Sequence, residues 1–166
     1  NNGRVHVEKV YEIPEGTRIS KGRSIKNVLD LQADEKVAAM ICVKNLDDET
    51  HALVMATKNG VVKKTILSDY KNCRKGGIIG IKGITLDEGD TLIGVVLAEK
   101  DAHIILITYA GMSICFSEND LRAQGRVTRG VRGVTLKKEN DCVKAIVVVE
   151  PNTTLLIAGE HGQGKR

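Results

Sequence analysis

The chain has 166 residues, of which 42% are hydrophobic and 28% are charged, so it has enough apolar residues to bury the core of one globular domain. Aromatic residues make up only 2% and there is no Trp, which argues against the aromatic base-stacking platforms of common single-stranded nucleic-acid binders. The formal net charge of +4 is too small to indicate a nucleic-acid partner by itself, and no apolar run approaches the roughly 20 residues of a membrane span.

The first predicted repeat, residues 3–59, begins at Gly3 and ends in a hairpin turn. Its elements, in chain order, are a basic segment at 18–26, an acidic turn at Asp34-Glu35, and strands at 37–43 and 53–57. Both strands are rich in the β-branched and aliphatic residues that strands favour. Asn59-Gly60 follows, and this dipeptide is the strongest sequence signal for a type I′ hairpin because both central residues need positive φ.

The second predicted repeat, residues 60–110, has the same order of elements. After Gly60 come a strand at 61–66, a basic segment at 71–82, an acidic turn at 87–90, and strands at 92–97 and 104–108. The next hairpin turn is Ala110-Gly111, in which the glycine lies 51 residues after Gly60.

The third predicted repeat covers residues 111–161, and His161-Gly162, again 51 residues on, starts a fourth at 162–166. Its elements are a strand at 112–116, at most one helical turn within 117–124, a basic segment at 122–132, an acidic turn at 139–141, and strands at 143–149 and 154–158. A period of this length with about four strands predicts propeller-like blades. We therefore expect residues 1–166 to form a single, all-β, repeat-built domain fragment of about three blades.

The basic residues follow the same period. Segments 18–26, 71–82 and 122–132 hold 12 of the 25 Lys and Arg residues and no Asp or Glu, whereas the acids are concentrated in the other turns, which we expect to be solvated. Because equivalent loops of stacked repeats lie on equivalent sides, the pattern predicts a basic stripe on one rim and acidic loops opposite it. A regular stripe of Lys and Arg is the electrostatic footprint of a polyanion path.

The candidate phosphate contacts are the cations of this stripe, widened by two lysines of the strand that follows Gly60. They are Arg18, Lys21, Arg23, Lys63, Lys64, Arg74, Lys75, Arg122, Arg126, Arg129 and Arg132. A rim that binds an acidic protein partner is the competing interpretation. An enzyme of the propeller class would need a converging catalytic set, and the sequence suggests none.

Three stretches of the sequence carry a resemblance to a known family: Gly60-Val-Val-Lys-Lys-Thr65, Asp87-Glu-Gly-Asp-Thr-Leu-Ile-Gly-Val95 and Thr128-Arg-Gly-Val-Arg-Gly133. Segments 10–14, 21–23 and 162–166 support it. These residues resemble the repeat of the C-terminal domain of the bacterial DNA gyrase A protein and of its paralogue in topoisomerase IV. The diagnostic heptad of that family, Gln-Arg-Arg-Gly-Gly-Lys-Gly, is absent, and residues 72–78 are its nearest match.

The resemblance implies a β-pinwheel, in which propeller-like four-stranded blades exchange a strand with their neighbours. It also implies a non-catalytic domain that wraps duplex DNA for ATP-dependent negative supercoiling, in the bacterial cytoplasm at the nucleoid. The partners implied are the remainder of the gyrase A protein and the gyrase B protein. The fragment itself is expected to need no cofactor, with ATP and magnesium used by other domains of the parent enzyme.

Other motifs carry less weight. Cys42, Cys73, Cys115 and Cys142 are too far apart for a zinc site and are expected to be reduced thiols. Residues 159–166 nearly match a P-loop, but Arg166 stands where Ser or Thr would bind magnesium, so a hairpin turn is the better interpretation. The four histidines do not cluster at the spacing of metal ligands, and no catalytic residue is assigned.

Overall fold

The computed structural model describes residues 1–29, 31–71 and 80–166, and in these ranges it contains β-strands, four one-turn 3₁₀ helices and no α-helix. The strands are β1 Arg4–Val5, β2 His51–Thr57, β3 Val61–Ile66, β4 Ile81–Lys82, β5 Leu92–Glu99, β6 His103–Thr108, β7 Ser113–Ser117, β8 Val131–Arg132, β9 Val143–Val149, β10 Ile157–Ala158 and β11 Gly164–Lys165. The 3₁₀ helices are Val10–Glu12, Ile25–Asn27, Leu67–Tyr70 and Glu118–Asp120. The all-β prediction is confirmed, and the helical turn expected within 117–124 is Glu118–Asp120.

Two antiparallel sheets form the body of the molecule. The first blade has the strand order β5-β2-β3-β8 and the second has the order β7-β6-β9. Each is built on a predicted hairpin, β2–β3 around Gly60 and β6–β7 around Gly111. The second blade therefore has three strands among the described residues, one fewer than the four expected. In the same described ranges no helix is long and apolar enough to cross a bilayer.

Consecutive repeats exchange a short strand. β8 belongs to the third predicted repeat but pairs with β3 of the second, with Val131 opposite Val62 and Arg132 opposite Val61. β4 belongs to the second repeat and pairs in the same way with β1 of the first. The strand exchange expected of a β-pinwheel is confirmed at both junctions.

The same hydrogen bonds secure both exchanges. The amides of Gly83 and Ile84, just after β4, donate to the carbonyl oxygen of Gly3 at 2.8 and 3.2 Å. The amides of Gly133 and Val134, just after β8, donate to the carbonyl of Gly60 at 2.9 and 3.2 Å. The two acceptor residues are glycines because their φ angles are positive and because the incoming backbone lies within 3 Å of where a Cβ would be.

The acidic turns hold the hairpin turns in place. The buried carboxylate of Asp90 accepts hydrogen bonds from the amides of Asn59 at 3.0 Å and Thr91 at 2.8 Å. One oxygen of Asp141 accepts from the amides of Ala110 and Cys142, both at 2.9 Å, and the other accepts from the Thr108 hydroxyl. These two carboxylates are structural groups, so the expectation that the acidic turns are merely solvated is wrong for them.

The core is aliphatic, as the composition predicts. One buried cluster is shared by the two blades and contains Val54, Ala56, Val62, Ala98, Ile104, Leu106, Leu121 and Val143. A second, around the first blade, contains Met55, Tyr70, Ile84 and Leu92. Because residues of β2 and β6 lie in the same cluster, burial of apolar surface joins the blades in addition to strand exchange.

The predicted strand at 37–43 does not form. In the other repeats the corresponding strands, β5 and β9, pair with β2 and β6, the first strands of the two hairpins. Among the described residues no strand pairs with residues 37–43. β-propensity alone does not make a strand when the backbone groups have no neighbour to pair with.

Gly60→Ala is expected to lower the free energy of unfolding by more than Gly111→Ala. Both glycines have positive φ, +88° and +79°, which costs an L-residue about 1–2 kcal/mol. A Cβ on Gly60 would also lie 2.8 Å from the Val134 carbonyl oxygen, whereas nothing lies within 4 Å at Gly111. The clash should add about 1–3 kcal/mol, measured by urea unfolding of both variants. Equal losses of unfolding free energy in the two variants would contradict the close approach of the Val134 carbonyl to Gly60.

Asp141→Ala is expected to reduce stability at neutral pH and to matter progressively less in acid. Burial pushes the pKa of Asp141 upward, but the hydrogen bonds from Ala110, Thr108 and Cys142 outweigh it, so the pKa lies below its usual 3.8. A lowered folded-state pKa contributes stability above the unfolded value, and this is lost as the pH falls through the folded value. Urea unfolding of the wild-type chain and of Asp141→Ala, from pH 7 downward, measures the difference in their free energies of unfolding. A difference that stays constant below pH 3.8 would refute this role of Asp141.

Candidate nucleic-acid interface

The two exchanged strands each place a cation at the surface. Lys82 in β4 lies opposite Arg4 of β1, and Arg132 in β8 lies opposite Val61 of β3. Both cations are exposed, and both stand in a Gly-Ile-Lys-Gly or Gly-Val-Arg-Gly stretch at the same position relative to the hydrogen bonds of the exchange. Lys82 was not among the candidate contacts. The sequence could have indicated it, because Lys82 lies in the basic segment 71–82 and its flanking glycines match those of Arg132.

The loop that leads into β8 carries three more arginines. Its backbone is held by a turn in which the Thr128 amide and hydroxyl both donate to the Gly125 carbonyl, at 3.3 and 2.8 Å. Arg122 and Arg129 are exposed, and Arg126 is half-buried. The structure therefore brings the four predicted arginines of segment 122–132 onto one short stretch ending at the edge of the first blade.

Lys63 is not at the surface, so its assignment as a phosphate contact is wrong. Its side chain is fully buried, and its ammonium donates to the carbonyls of Gly125 at 3.0 Å and Arg126 at 2.7 Å and also to the carbonyl of Gly83. Burial lowers the pKa of Lys63 to about 8; Asp69 raises it slightly and Arg126 lowers it. An ammonium whose three donors are occupied inside the protein is not available to a phosphate.

Lys64 is also engaged inside the protein, so it does not widen the basic stripe either. Its Nζ lies 2.6 Å from Oε1 of Glu118 and donates to the Glu118 carbonyl at 3.2 Å, and the two side chains are only 14% and 7% exposed. Neighbouring residues of a strand point to opposite faces. Neither Lys63 nor Lys64 is exposed, because β3 is covered on both sides.

The remaining candidates lie elsewhere. Arg18, Lys21 and Arg23 are exposed in a stretch without regular strands, where the Ser20 amide closes a turn on the Thr17 carbonyl at 3.1 Å. Arg74 and Lys75 lie outside the described residues. The structure thus leaves seven described candidates with exposed or half-exposed side chains, in segments 18–23 and 122–132.

Acidic and basic segments of successive repeats meet, contrary to the expectation that they lie on opposite sides. The amide of Thr85 donates to the Thr128 carbonyl at 3.0 Å, and its hydroxyl donates to the Val127 carbonyl at 2.6 Å. Next to this contact, Nη1 of Arg129 lies 3.0 Å from Oδ1 of Asp87, with the side chains 73% and 57% exposed. Part of the positive charge of segment 122–132 is therefore balanced by the acidic turn before it.

Within the part of the chain that the structure describes, no group of three or more His, Cys, Asp or Glu side chains is placed to hold a metal ion. Three of the cysteines, Cys42, Cys115 and Cys142, are free thiols.

The chain matches the sequence model of the DNA gyrase C-terminal domain, described as a beta-propeller, over residues 1–44, 51–99 and 102–149. The A protein of DNA gyrase from Helicobacter pylori strain J99 is 41% identical over 167 residues, which cover all of this chain and 20% of that protein. The chain thus spans about a fifth of the length of this curated relative.

Two solved structures have the same architecture. The C-terminal domain of DNA topoisomerase IV superposes with a TM-score of 0.87 at 26% identity, and the DNA gyrase A C-terminal domain superposes with a TM-score of 0.81 at 27% identity. Each comparison covers 99% of this chain and 50% of the solved chain. With the family model matching three segments that include most of the sequence, the chain belongs to the DNA gyrase C-terminal domain family.

Proposed function

We propose that this chain binds and helps to wrap duplex DNA as a non-catalytic part of a DNA gyrase A protein. The observation that carries the proposal is the recurrence of an exposed cation, Lys82 and then Arg132, at the same place on consecutive exchanged strands. A repeated fold that repeats its surface charge presents cations at regular spatial intervals, which suits a ligand with regularly spaced negative charge such as duplex DNA.

The contacts are to phosphates rather than to bases. Arg122, Arg129 and Arg132 offer planar guanidinium forks that suit phosphate oxygens, and Lys82 offers a point charge. Such contacts position the duplex without reading its sequence. Bending a site of 20–30 base pairs by 40–90° costs on the order of 1–6 kcal/mol, which contacts from several consecutive segments would offset.

The name of the relative from Helicobacter pylori, that of the DNA gyrase A protein, supports a wider proposal. In it, the parent protein pairs with the gyrase B protein and introduces negative supercoils at the nucleoid in the bacterial cytoplasm. In that assembly ATP and magnesium serve other domains, and this chain needs neither for its contacts with phosphates. Supercoiling by the intact parent enzyme, and its loss when residues 1–166 are deleted, would test this assignment.

The corresponding domain of topoisomerase IV is the second candidate, because the solved topoisomerase IV domain superposes with the higher TM-score, 0.87 against 0.81. The sequence relative at 41% identity, a gyrase A protein, favours gyrase. The two are distinguished by whether the intact parent enzyme introduces negative supercoils into relaxed plasmid with ATP or only relaxes and unlinks it.

Replacing Arg129 and Arg132 by Gln is expected to weaken binding to an arbitrary duplex and to reduce its salt dependence. Each lost phosphate contact should lower the slope of log affinity against log salt by about 1. Lys137→Gln with Lys138→Gln is the matched control, because both lysines are exposed and lie outside the three basic segments. Fluorescence anisotropy over a range of salt measures both. Equal losses in the two double variants would mean that net charge, not the proposed path, determines affinity.

Asp87→Asn is expected to tighten DNA binding more than Glu88→Gln does. Asp87→Asn releases Arg129 from its ion pair, whereas Glu88→Gln removes one negative charge from a neighbouring exposed residue. Both variants change the net charge equally, so the difference in their DNA affinities measures the effect of the ion pair. An exposed pair contributes about 0.2–1 kcal/mol, which corresponds to roughly 1.4- to 5-fold in affinity. The same anisotropy titrations give the comparison. If Glu88→Gln has the larger effect, Arg129 is not held back from DNA by Asp87.

A further inference from the structure

The buried ammonium of Lys63 links two segments that each carry proposed DNA contacts. Its side chain starts on β3 and donates to the Gly83 carbonyl, one residue after Lys82. It also donates to the carbonyls of Gly125 and Arg126, in the loop that carries Arg122, Arg126 and Arg129. One side chain therefore joins the end of an exchanged strand from the second repeat to a basic loop from the third.

The geometry of this ammonium makes it a rigid connection. A lysine ammonium has three N–H donors, and here each has a carbonyl acceptor. A charge removed from water is costly unless its hydrogen bonds are replaced, so the folded state has a strong preference for keeping all three acceptors in place. Apolar burial of an alkyl chain would fill the same space without directing any of these carbonyls.

The preceding junction makes a different contact at the corresponding position. The position three residues after the hairpin glycine is occupied by His6, Lys63, Ile114 and Lys165 in the successive repeats. At the preceding junction the His6 ring packs against Gly80, where a Cβ would lie 2.6 Å from Nε2, and that nitrogen is 3.6 Å from Glu35. The lysine at residue 63 is therefore not a requirement of the blade architecture.

We propose that Lys63 is a positioning residue for DNA binding, which fixes β4 with Lys82 relative to the loop with Arg126 and Arg129 so that both meet the same duplex. This inference rests on the proposed function. Lys63 itself touches no phosphate, and its effect is transmitted through the three carbonyls it holds. Its neighbour Lys64 supports the fold through Glu118 and makes no contact of this kind with the loop carbonyls, which makes it the matched control.

The connection should weaken in mild alkali. Because burial lowers the pKa of Lys63 to about 8, its proton is lost in a range where the exposed arginines stay charged. Asp69 and Arg126 are the charged groups that act on it, and its partner across the hairpin on β2 is the uncharged Met55. A neutral amine has two donors, so at least one carbonyl would lose its partner.

The first test measures the affinity of the wild-type chain, Lys63→Arg and Lys64→Met for one duplex from pH 7 to about pH 9.5 at fixed ionic strength. Wild type and Lys64→Met should both lose affinity about three- to tenfold, with a midpoint near 8, whereas Lys63→Arg should lose less than twofold because its charge persists. A flat wild-type profile, or one that Lys63→Arg shares, would overturn the proposal.

The second test needs no DNA. Trypsin cleaves after Arg126, and the carbonyl of that peptide bond is one that Lys63 holds. Lys63→Met should be cut there about tenfold faster than wild type, and Lys64→Met at close to the wild-type rate, with circular dichroism confirming that each variant is folded. Unchanged cleavage in a folded Lys63→Met would overturn the proposal, and if that variant is unfolded the pH profile decides. If the wild-type chain binds no duplex at pH 7, the proposed function is wrong. The rate of trypsin cleavage after Arg126 then still shows whether Lys63 orders the loop.

Discussion

The structure depends on a short backbone exchange between consecutive repeats. Two amides that follow β4 or β8 converge on the carbonyl of the glycine just before the receiving strand, Gly3 before β1 or Gly60 before β3. The positive φ of these glycines and the absence of a side chain let the incoming backbone approach closely. The β1–β4 sheet and the first blade are therefore each completed by a strand from the following repeat, and the same contact is repeated at both junctions.

This exchange also decides where charge appears. Lys82 and Arg132 are exposed because they occupy a strand that has just crossed to the edge of the neighbouring blade. Lys63 is buried and Lys64 is largely covered because β3 is the strand that receives the exchange, and the segment that leads into β8 packs against it. The cations proposed to bind DNA and the lysines that support the fold thus lie on opposite partners of one junction, and Lys63 contacts the segments that carry the proposed contacts.

Much of this fold could be predicted from the sequence, since the 51-residue spacing of Gly60, Gly111 and Gly162 and the Asn59-Gly60 turn mark the hairpins directly. Local sequence patterns gave wrong predictions where contacts between distant segments determine exposure or pairing. Lys63 and Lys64 were both candidates for the surface, but they are covered by residues 63 and 54 positions along the chain, Arg126 and Glu118. Residues 37–43 have the composition of a strand, but among the described residues no strand pairs with them. Asp87 and Arg129 belong to segments with opposite charge, and only the folded chain shows that they touch.

The central claim is that duplex DNA lies along the exposed cations of the exchanged strands, and lysine reactivity tests it directly. The chain would be treated with an amine-acylating reagent with and without duplex DNA, and modification read out by mass spectrometry at Lys82, Lys138 and Lys63. The account predicts that DNA protects Lys82 strongly and Lys138 weakly, and that Lys63 reacts slowly in both samples because it is buried. Lys82 reacting equally with and without bound DNA would contradict the claim.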